Sequence, residues 1–274
     1  MAGIVRRLQH AALARFPRLA WKLWHLKNSF SHDNEFEVEF LDNIPAYINR
    51  PQRTALDVGA NFGVYTRALC RRFATTHSVE PLPKLATALR DAGPRNCVVH
   101  QMALGTEHGE LVISVPHTAE KGAVFAFATA RADRLAAVHG NCETVDRFTV
   151  KVAPLDDEFR DVCDIDFIKI DVEGSEISVL GGGLRTLESQ QPIVMIEAEK
   201  DCGPESLQIF EFLEGLGYAS YYYRDKKLQR TDRAILDRME TYLQSKQSDP
   251  DFRRYRDPAY IYNFIFCKPE LVRA

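Results

Sequence analysis

The chain has 274 residues, of which 45% are hydrophobic and 27% are charged, and its formal net charge is −3. This composition allows one sizeable core and gives no overall attraction toward nucleic acid, so no nucleic-acid partner is expected. No apolar run approaches the roughly 20 residues that a membrane-spanning helix needs. None of the six cysteines lies in a CxxC spacing, which argues against a zinc ribbon and favours reduced thiols in the cytoplasm.

Residues 1–50 are predicted to form a basic amphipathic helical segment that precedes the main domain, residues 51–274. Six basic residues come before the first acidic residue, Asp33, and apolar residues recur among them at helical spacing. Pro17 breaks or kinks any single long helix here. Three interpretations are open: a helix packed on the main domain, a helix lying peripherally on an anionic membrane surface, or an organelle transit peptide.

After this segment, short strand-like runs alternate with helical patterns. They lie at residues 54–58, 64–73, 76–80, 83–92 and 97–102. This β-α-β alternation predicts a parallel sheet that is covered on both faces. Two strands with alternating faces, at 109–116 and 146–154, then interrupt the rhythm, and an irregular stretch at 121–141 separates them. Residues of about 105–150 are therefore predicted to form an insertion and not a second domain.

The alternation resumes in the second half of the chain. Its predicted elements are a strand entering a turn at 166–174, an interrupted helix at 175–189, a strand at 192–199, a helix at 204–217, and late strands at 218–223 and 260–267. A charged segment separates the two late strands. Residues of about 225–258 are predicted to form a second insertion there.

The first strand ends in the sequence DVGANFG, where Asp57 is followed by Gly59, Asn61 and Gly63. Ligands of doubly wound sheets bind at the carboxyl ends of the strands, so this turn is a candidate binding loop. It lacks the GK[ST] of a phosphate loop. Asn61 also replaces the second glycine of GxGxxG, which disfavours a nicotinamide-dependent oxidoreductase. A carboxylate at this turn suits a cationic ligand better than a phosphate.

Glu80 ends the second strand, where a carboxylate can accept hydrogen bonds from both hydroxyls of a ribose. A nucleoside with a positively charged, amino-acid-like tail matches both Glu80 and Asp57, which predicts S-adenosylmethionine as the cofactor. Asp57 is expected to hold the amino-acid part of this cofactor, directly or through water. Further candidates for the cofactor pocket follow the first and third strands: Tyr65, Thr66, Met102 and Ala103.

Four stretches stand in an order and spacing typical of one known family: LDVGANFGVYT, VEPLP, PLDD and IKIDVEGSEISVLGG. Over about residues 54–199 the chain resembles the FkbM-type family of S-adenosylmethionine-dependent methyltransferases. The resemblance implies an α/β, Rossmann-like class I methyltransferase fold, with a seven-stranded, mostly parallel sheet, an antiparallel last strand and helices on both faces. It places Pro81 at the cofactor beside Glu80. It also implies O-methylation of a hydroxyl on a sugar, a glycan or another small-molecule acceptor.

The strand IKIDVEG carries Lys169, Asp171 and Glu173 at alternating positions, so the three share one face while the chain is extended. A hydroxyl acceptor needs a base within hydrogen-bond reach. Asp171 is expected to border both the cofactor and the methyl-transfer site, with Glu173 and Glu197 positioning the acceptor. Any of these three carboxylates could be the base. The structural alternative is an ion-pair network in which a buried Lys169 only joins two strand ends.

Other readings of these motifs stay open. The carboxylates could bind magnesium, but the sequence specifies no ligand geometry, so no metal site is predicted. Methylation of a nitrogen or of a protein side chain is the enzymatic alternative, although the sequence has no [DN]PP[YF] motif. The non-enzymatic alternative is a cofactor-binding fold retained as an interaction module.

Overall fold

The computed structural model describes residues 35–118, 122–123, 128–130, 142–198, 205–232, 235, 237, 241, 261 and 263–273. The strands are β1 (Thr54–Val58), β2 (Thr75–Val79), β3 (Cys97–His100), β4 (Ala103–Gly105), β5 (Gly109–Thr118), β6 (Gly122–Ala123), β7 (Cys142–Pro154), β8 (Ile165–Ile170), β9 (Ile193–Glu197), β10 (Ala219–Arg224), β11 (Lys227–Arg230) and β12 (Asn263–Cys267). The helices are α1 (Glu35–Asp42), α2 (Ile44–Tyr47), α3 (Val64–Cys70), α4 (Pro83–Ala92), α5 (Leu155–Glu158), α6 (Glu176–Gly182), α7 (Leu184–Ser189) and α8 (Glu205–Gly215).

The larger sheet has eight strands in the order β11-β10-β12-β9-β8-β1-β2-β3. Strands β3, β2, β1, β8 and β9 run parallel, whereas β12 is antiparallel to both of its neighbours. The predicted Rossmann-like fold with an antiparallel last strand is therefore confirmed. The sheet has one strand more than predicted because the chain turns back after β10 to form β11. Asp225 and Lys226 make this tight turn with φ of 51° and 57°.

The central strands are buried on both faces, which explains why their sequences are continuous apolar runs. Leu56 and Ile168 face a core that α6, α7 and α8 cover, whereas Ala55 and Phe167 face a core that α1 and α3 cover. Successive residues of a strand point to opposite faces, so each strand contributes to both cores. This layering brings the carboxyl ends of the parallel strands together at one edge of the sheet.

The predicted insertion after residue 105 forms most of a second, four-stranded sheet with the order β4-β7-β5-β6, whose strand β4 precedes the insertion. Strands β5 and β7 form its long antiparallel pair. Ile113 and Val115 of β5 pack against Leu82 and Leu85 at the start of α4. The small sheet therefore stands beside the edge where β1 and β2 end. Most of the irregular stretch 121–141 lies outside the described residues.

Helices α1 and α2 belong to the core of the domain. Phe40, Leu41, Ile44 and Ile48 are fully buried and pack on the same face of the large sheet as α3. Residues of the predicted N-terminal segment, 1–50, therefore supply part of the core of the main domain, so no boundary after residue 50 separates the two. The predicted basic helix, with its possible membrane contact, concerns residues that mostly precede the described part of the chain.

No helix among the described residues is long and apolar enough to span a membrane.

A buried carboxylate ties the start of β8 to the segment before β1. Asp166 has no exposed surface, and its Oδ1 lies 2.7 Å from Arg53 Nη2 and 3.0 Å from Arg50 Nε. Its Oδ2 accepts the backbone N–H of Arg53 at 3.0 Å. The two arginines offset the large desolvation penalty of burying this charge.

We expect Asp166→Asn to lower the free energy of unfolding by about 3 kcal/mol, because it leaves the partly buried Arg50 without its charge partner. The matched control is Asp42→Asn, which removes a more exposed ion pair with Arg71 and should cost less than about 1 kcal/mol. Urea unfolding followed by circular dichroism measures both effects. Equal losses in the two variants would contradict a stabilising role for the buried cluster.

Candidate functional site

An open cleft of about 690 Å³, including the solvent at its mouth, lies at the carboxyl ends of β1, β2 and β8. Leu111 and Ile113 of the small sheet line its opposite wall. Asp171 and Glu173 line the cleft, whereas the other two predicted catalytic residues, Lys169 and Glu197, do not. Seven of the predicted cofactor residues lie in the lining: Gly59, Asn61, Glu80, Pro81, Met102, Ala103 and Asp171.

Two glycines shape the loop after β1: Gly59 is required by a close backbone contact and by its positive φ, and Gly63 by its positive φ. Gly59 has φ of 84°, and a Cβ at this position would lie 1.8 Å from the carbonyl oxygen of Asp171. Gly63 has φ of 76°, and its Cβ would lie 2.5 Å from Leu89 of α4. Gly59 thus brings the loops after β1 and β8 together at the cleft. Gly63 lies outside the lining and serves the packing of α3 against α4.

Glu80 is held rigidly at the edge of the cleft. Its Oε2 accepts the backbone N–H of Asn61 at 2.8 Å, and its Oε1 accepts the backbone N–H of Leu82 at 2.8 Å. The residue is only 4% exposed, and this burial raises the pKa of Glu80 to about 7. A carboxylate has acceptor sites beyond these two bonds, so Glu80 can also accept hydroxyl groups of a ligand in the cleft.

Asn61 presents an unsatisfied polar atom at the same place. Its backbone has φ of 50°, a left-handed conformation that asparagine tolerates better than most residues. Its Oδ1 is buried and has no hydrogen-bond partner within the part of the chain that the structure describes. Since Asn61 lines the cleft, this oxygen is an acceptor suited to a ligand N–H or O–H.

Asp57 lies beneath the cleft and not in its lining. It is 1% exposed, and its Oδ2 accepts the Thr66 hydroxyl at 2.5 Å. The Thr66 hydroxyl also lies 2.8 Å from Ser78 Oγ, so a short chain of hydroxyl groups surrounds the carboxylate. Burial raises the pKa of Asp57 to about 6, although the bond from Thr66 and the charge of Lys169 oppose the rise. In this conformation Asp57 acts on the cleft through its charge and not by contact.

Lys169 lies in the layer below the cleft. Its Nζ donates to the carbonyl oxygen of Ile170 at 3.1 Å and lies 3.5 Å from Asp171 Oδ2. It also lies 4.8 Å from the ring centre of Tyr65, which packs over it from α3. Burial raises the pKa of Tyr65 well above its usual range. Tyr65 therefore shields an ion pair whose acid, Asp171, faces the cleft.

The remaining predicted catalytic residues occupy different positions. Glu173 follows β8 in the lining of the cleft and has φ of 55°, an uncommon conformation for a residue with a side chain. Glu197 ends β9, where it stands opposite Asn263 of β12 and is half-buried outside the lining. The structure brings Asp171 and Glu173 into the cleft and leaves Glu197 beside it.

Residues that no motif marked also lie in the cleft or near Lys169 and Tyr65 below it. Glu37 of α1 accepts a hydrogen bond from Asn263 Nδ2 at 3.3 Å, and the same amide nitrogen lies 3.4 Å from the Tyr65 hydroxyl. Burial raises the pKa of Glu37. Ala128 and Ala130, from the insertion, line the cleft. These residues come from segments far apart in the chain, so their grouping is visible only in the tertiary structure.

Within the described ranges, no three or more His, Cys, Asp or Glu side chains are grouped to hold a metal ion.

Comparison with solved structures gives distant similarities. The chain is similar to FkbM methyltransferase from Methylobacillus flagellatus KT at 16% identity and a TM-score of 0.45, covering 80% of this chain and 48% of that one. This chain thus spans about half the length of that structure. A SAM-dependent methyltransferase from Aquifex aeolicus gives 14% identity and a TM-score of 0.36, covering 68% and 83% of the two chains. A Streptococcus mutans protein in complex with SAH gives 8% identity and a TM-score of 0.40, and the match covers 87% of this chain and 99% of that one.

No curated protein matches the chain at a significant level. These identities and TM-scores are too low to assign a family, so the assignment depends on the match to a family model. The model of the methyltransferase FkbM domain matches residues 57–220, more than half of the 274 residues, which confirms the resemblance of the four motifs. The chain therefore belongs to the FkbM family of methyltransferases, for which S-adenosylmethionine is the cofactor.

Proposed function

We propose that the protein methylates a hydroxyl group of a sugar, a glycan or another small-molecule acceptor, and not a nucleic acid. The supporting observation is the pair of carboxylates, Asp171 and Glu173, in the lining of the cleft. An oxygen acceptor must lose a proton as it is methylated, and a carboxylate within reach can take that proton. Both residues follow β8, at the edge where the parallel strands end.

The residues of the cleft fit S-adenosylmethionine. Glu80 is placed to accept the ribose hydroxyls, and Asn61 Oδ1 is a buried acceptor beside it. Met102 and Leu104 offer an apolar surface to the adenine on the side of β3 and β4. The cleft and the layer below it hold the acids Asp57, Glu80, Asp171 and Glu173 and the cation Lys169. This excess of acids favours a positively charged ligand.

When bound, S-adenosylmethionine supplies a methyl group on a positively charged sulfur, and an oxygen nucleophile attacks it in line. In the proposed mechanism Glu173 accepts the proton of the acceptor hydroxyl. Asp171 positions the hydroxyl, because Lys169 holds its carboxylate in place at 3.5 Å. Tyr65 packs over Lys169 and keeps water from the buried end of this ion pair.

The main test is a transfer assay with isotope-labelled methyl groups against sugars, glycolipids, small alcohols and matched amines. Methylation of hydroxyl compounds alone supports the proposal. Methylation of the amines or of protein side chains alone would replace it with the N-methyltransferase alternative. Tight binding of S-adenosylhomocysteine without transfer to any acceptor would favour a non-catalytic module.

With the acceptor found in that assay, we expect Glu173→Gln to lower kcat about 100-fold or more, because an amide cannot take up the proton. The dissociation constant for S-adenosylhomocysteine should change less than about threefold. Glu176→Gln is the matched control, since Glu176 begins α6 directly after this loop, lies outside the lining and accepts the N–H of Gly174, as a glutamine also can. Equal kcat values for the two variants would reject Glu173 as the base.

The affinity for S-adenosylhomocysteine should fall as the pH is lowered below 7. Ribose hydroxyls bind the ionised carboxylate better, so binding lowers the pKa of Glu80 from its value of about 7 in the free protein. The loss should approach about tenfold per pH unit between pH 7 and 5.5. Calorimetry across this range measures it. In Glu80→Gln the slope should flatten, and an unchanged slope would exclude Glu80 as its origin.

Asp57→Asn should make the free protein more stable near neutral pH. The pKa of Asp57 is raised from 3.8 to about 6, so wild-type stability is lost as the pH rises through that interval. The variant escapes this loss, and the amide oxygen that the substitution introduces would still accept the Thr66 hydroxyl. We expect the difference in unfolding free energy to grow by about 2 kcal/mol between pH 4 and pH 7.

Urea unfolding of both proteins at several pH values measures this difference, and calorimetry at pH 7.5 should show weaker cofactor binding by the more stable variant. A stability difference that does not depend on pH would contradict the assignment of the raised pKa to Asp57.

A further inference from the structure

Residues 128–130, which we name the strap, lie between the two sheets and contribute to the lining of the cleft. Thr129 is the central residue of the strap and is 4% exposed. Its N–H donates to Ser114 of β5 at 3.1 Å, and its carbonyl accepts the N–H of Ser114 at 2.9 Å. The residues on either side, Ala128 and Ala130, line the cleft. The backbone of the strap thus belongs to the small sheet, while its edge encloses the cleft.

The side chain of Thr129 makes the connection to the large sheet. Its Oγ1 donates to the carbonyl oxygen of Glu173 at 3.0 Å. Glu173 and Gly174 have φ of 55° and 102°, so the loop after β8 lies in a region that most side chains avoid. Such a conformation persists only where surrounding contacts fix it, and the bond from Thr129 is one of these contacts.

We propose that Thr129 is a positioning residue that fastens the strap to the loop after β8 and so holds this wall of the cleft in place beside the cofactor. The proposal rests on the cleft as the cofactor site and is independent of the methyl acceptor. It gives a function to the insertion of about residues 105–150, where the sequence has no recognisable motif. The proposed role depends on the hydroxyl group of Thr129. Its acceptor is the backbone carbonyl oxygen of Glu173, so the bond does not require the glutamate side chain.

Loss of this bond should affect ligand binding by lowering the fraction of molecules in which the strap is fastened. If the ligand binds only when the strap is in place, its apparent dissociation constant rises as that fraction falls. Dissociation should accelerate, since an unfastened strap opens more readily. A residue that only stabilises the fold would change the unfolding temperature and leave these two quantities as they are.

The test compares three variants of the full chain, with S-adenosylhomocysteine as the probe. Thr129→Val keeps the shape and removes the donor, whereas Thr129→Ser keeps the donor. Thr186→Val is the matched control, because Thr186 is 6% exposed and its Oγ1 donates to Asp156 at 2.7 Å, away from the lining of the cleft. Calorimetry gives the affinity, stopped-flow displacement gives the dissociation rate, and thermal unfolding without ligand gives the stability.

We expect Thr129→Val to weaken binding about three- to tenfold, the range expected for one lost hydrogen bond, mainly through faster dissociation. Thr129→Ser should bind within about twofold of wild type. Thr186→Val should unfold at a lower temperature with unchanged binding. Binding by Thr129→Val at wild-type strength, or a serine variant as weak as the valine variant, would overturn the proposal while the cofactor site stands. Failure of the wild type to bind the probe would overturn both.

Discussion

The site depends on one buried lysine. Lys169 has no exposed surface and lies under the carboxylates at the ends of the parallel strands. It is the register partner of Asp57 in β1 and lies 3.5 Å from Asp171, so one cation serves acids on two adjacent strands. A buried lysine needs such partners, and these acids need a cation as well. The charge of Lys169 therefore acts on acids of both β1 and the β8 segment, and it offsets part of the negative charge beneath the cleft.

This arrangement leaves the site short of positive charge. Burial raises the pKa of Asp57 to about 6 and that of Glu80 to about 7, so both carboxylates ionise reluctantly in the folded protein. A cationic ligand supplies the missing attraction. The same acids that favour the cofactor therefore destabilise the free protein near neutral pH. Complete neutralisation by a second buried cation would stabilise the fold and remove the preference for a positive ligand.

Local signals explain what the sequence could predict. The bounds of β1 and α4 match their predictions because both depend on local signals. An apolar run marks β1, and a proline at the first position marks the start of α4. The loops after β1, β2 and β8 were found because they follow recognisable buried strands. The Asp225–Lys226 turn escaped because its second residue is a lysine, where such turns usually have glycine. The contact of Glu37 with Asn263 escaped because it joins opposite ends of the chain.

The two walls of the cleft have different physical origins, and this difference suits a transferase. The strands that lead to Glu80 and Asp171 are anchored in two cores, so packing in the domain fixes this wall. The opposite wall is built from the small sheet and from the strap, which Thr129 fastens by a side-chain hydrogen bond to the loop after β8. A transferase must exclude water during the reaction and then release its product. A rigid wall that carries the charges and an outer wall fastened by hydrogen bonds meet both needs.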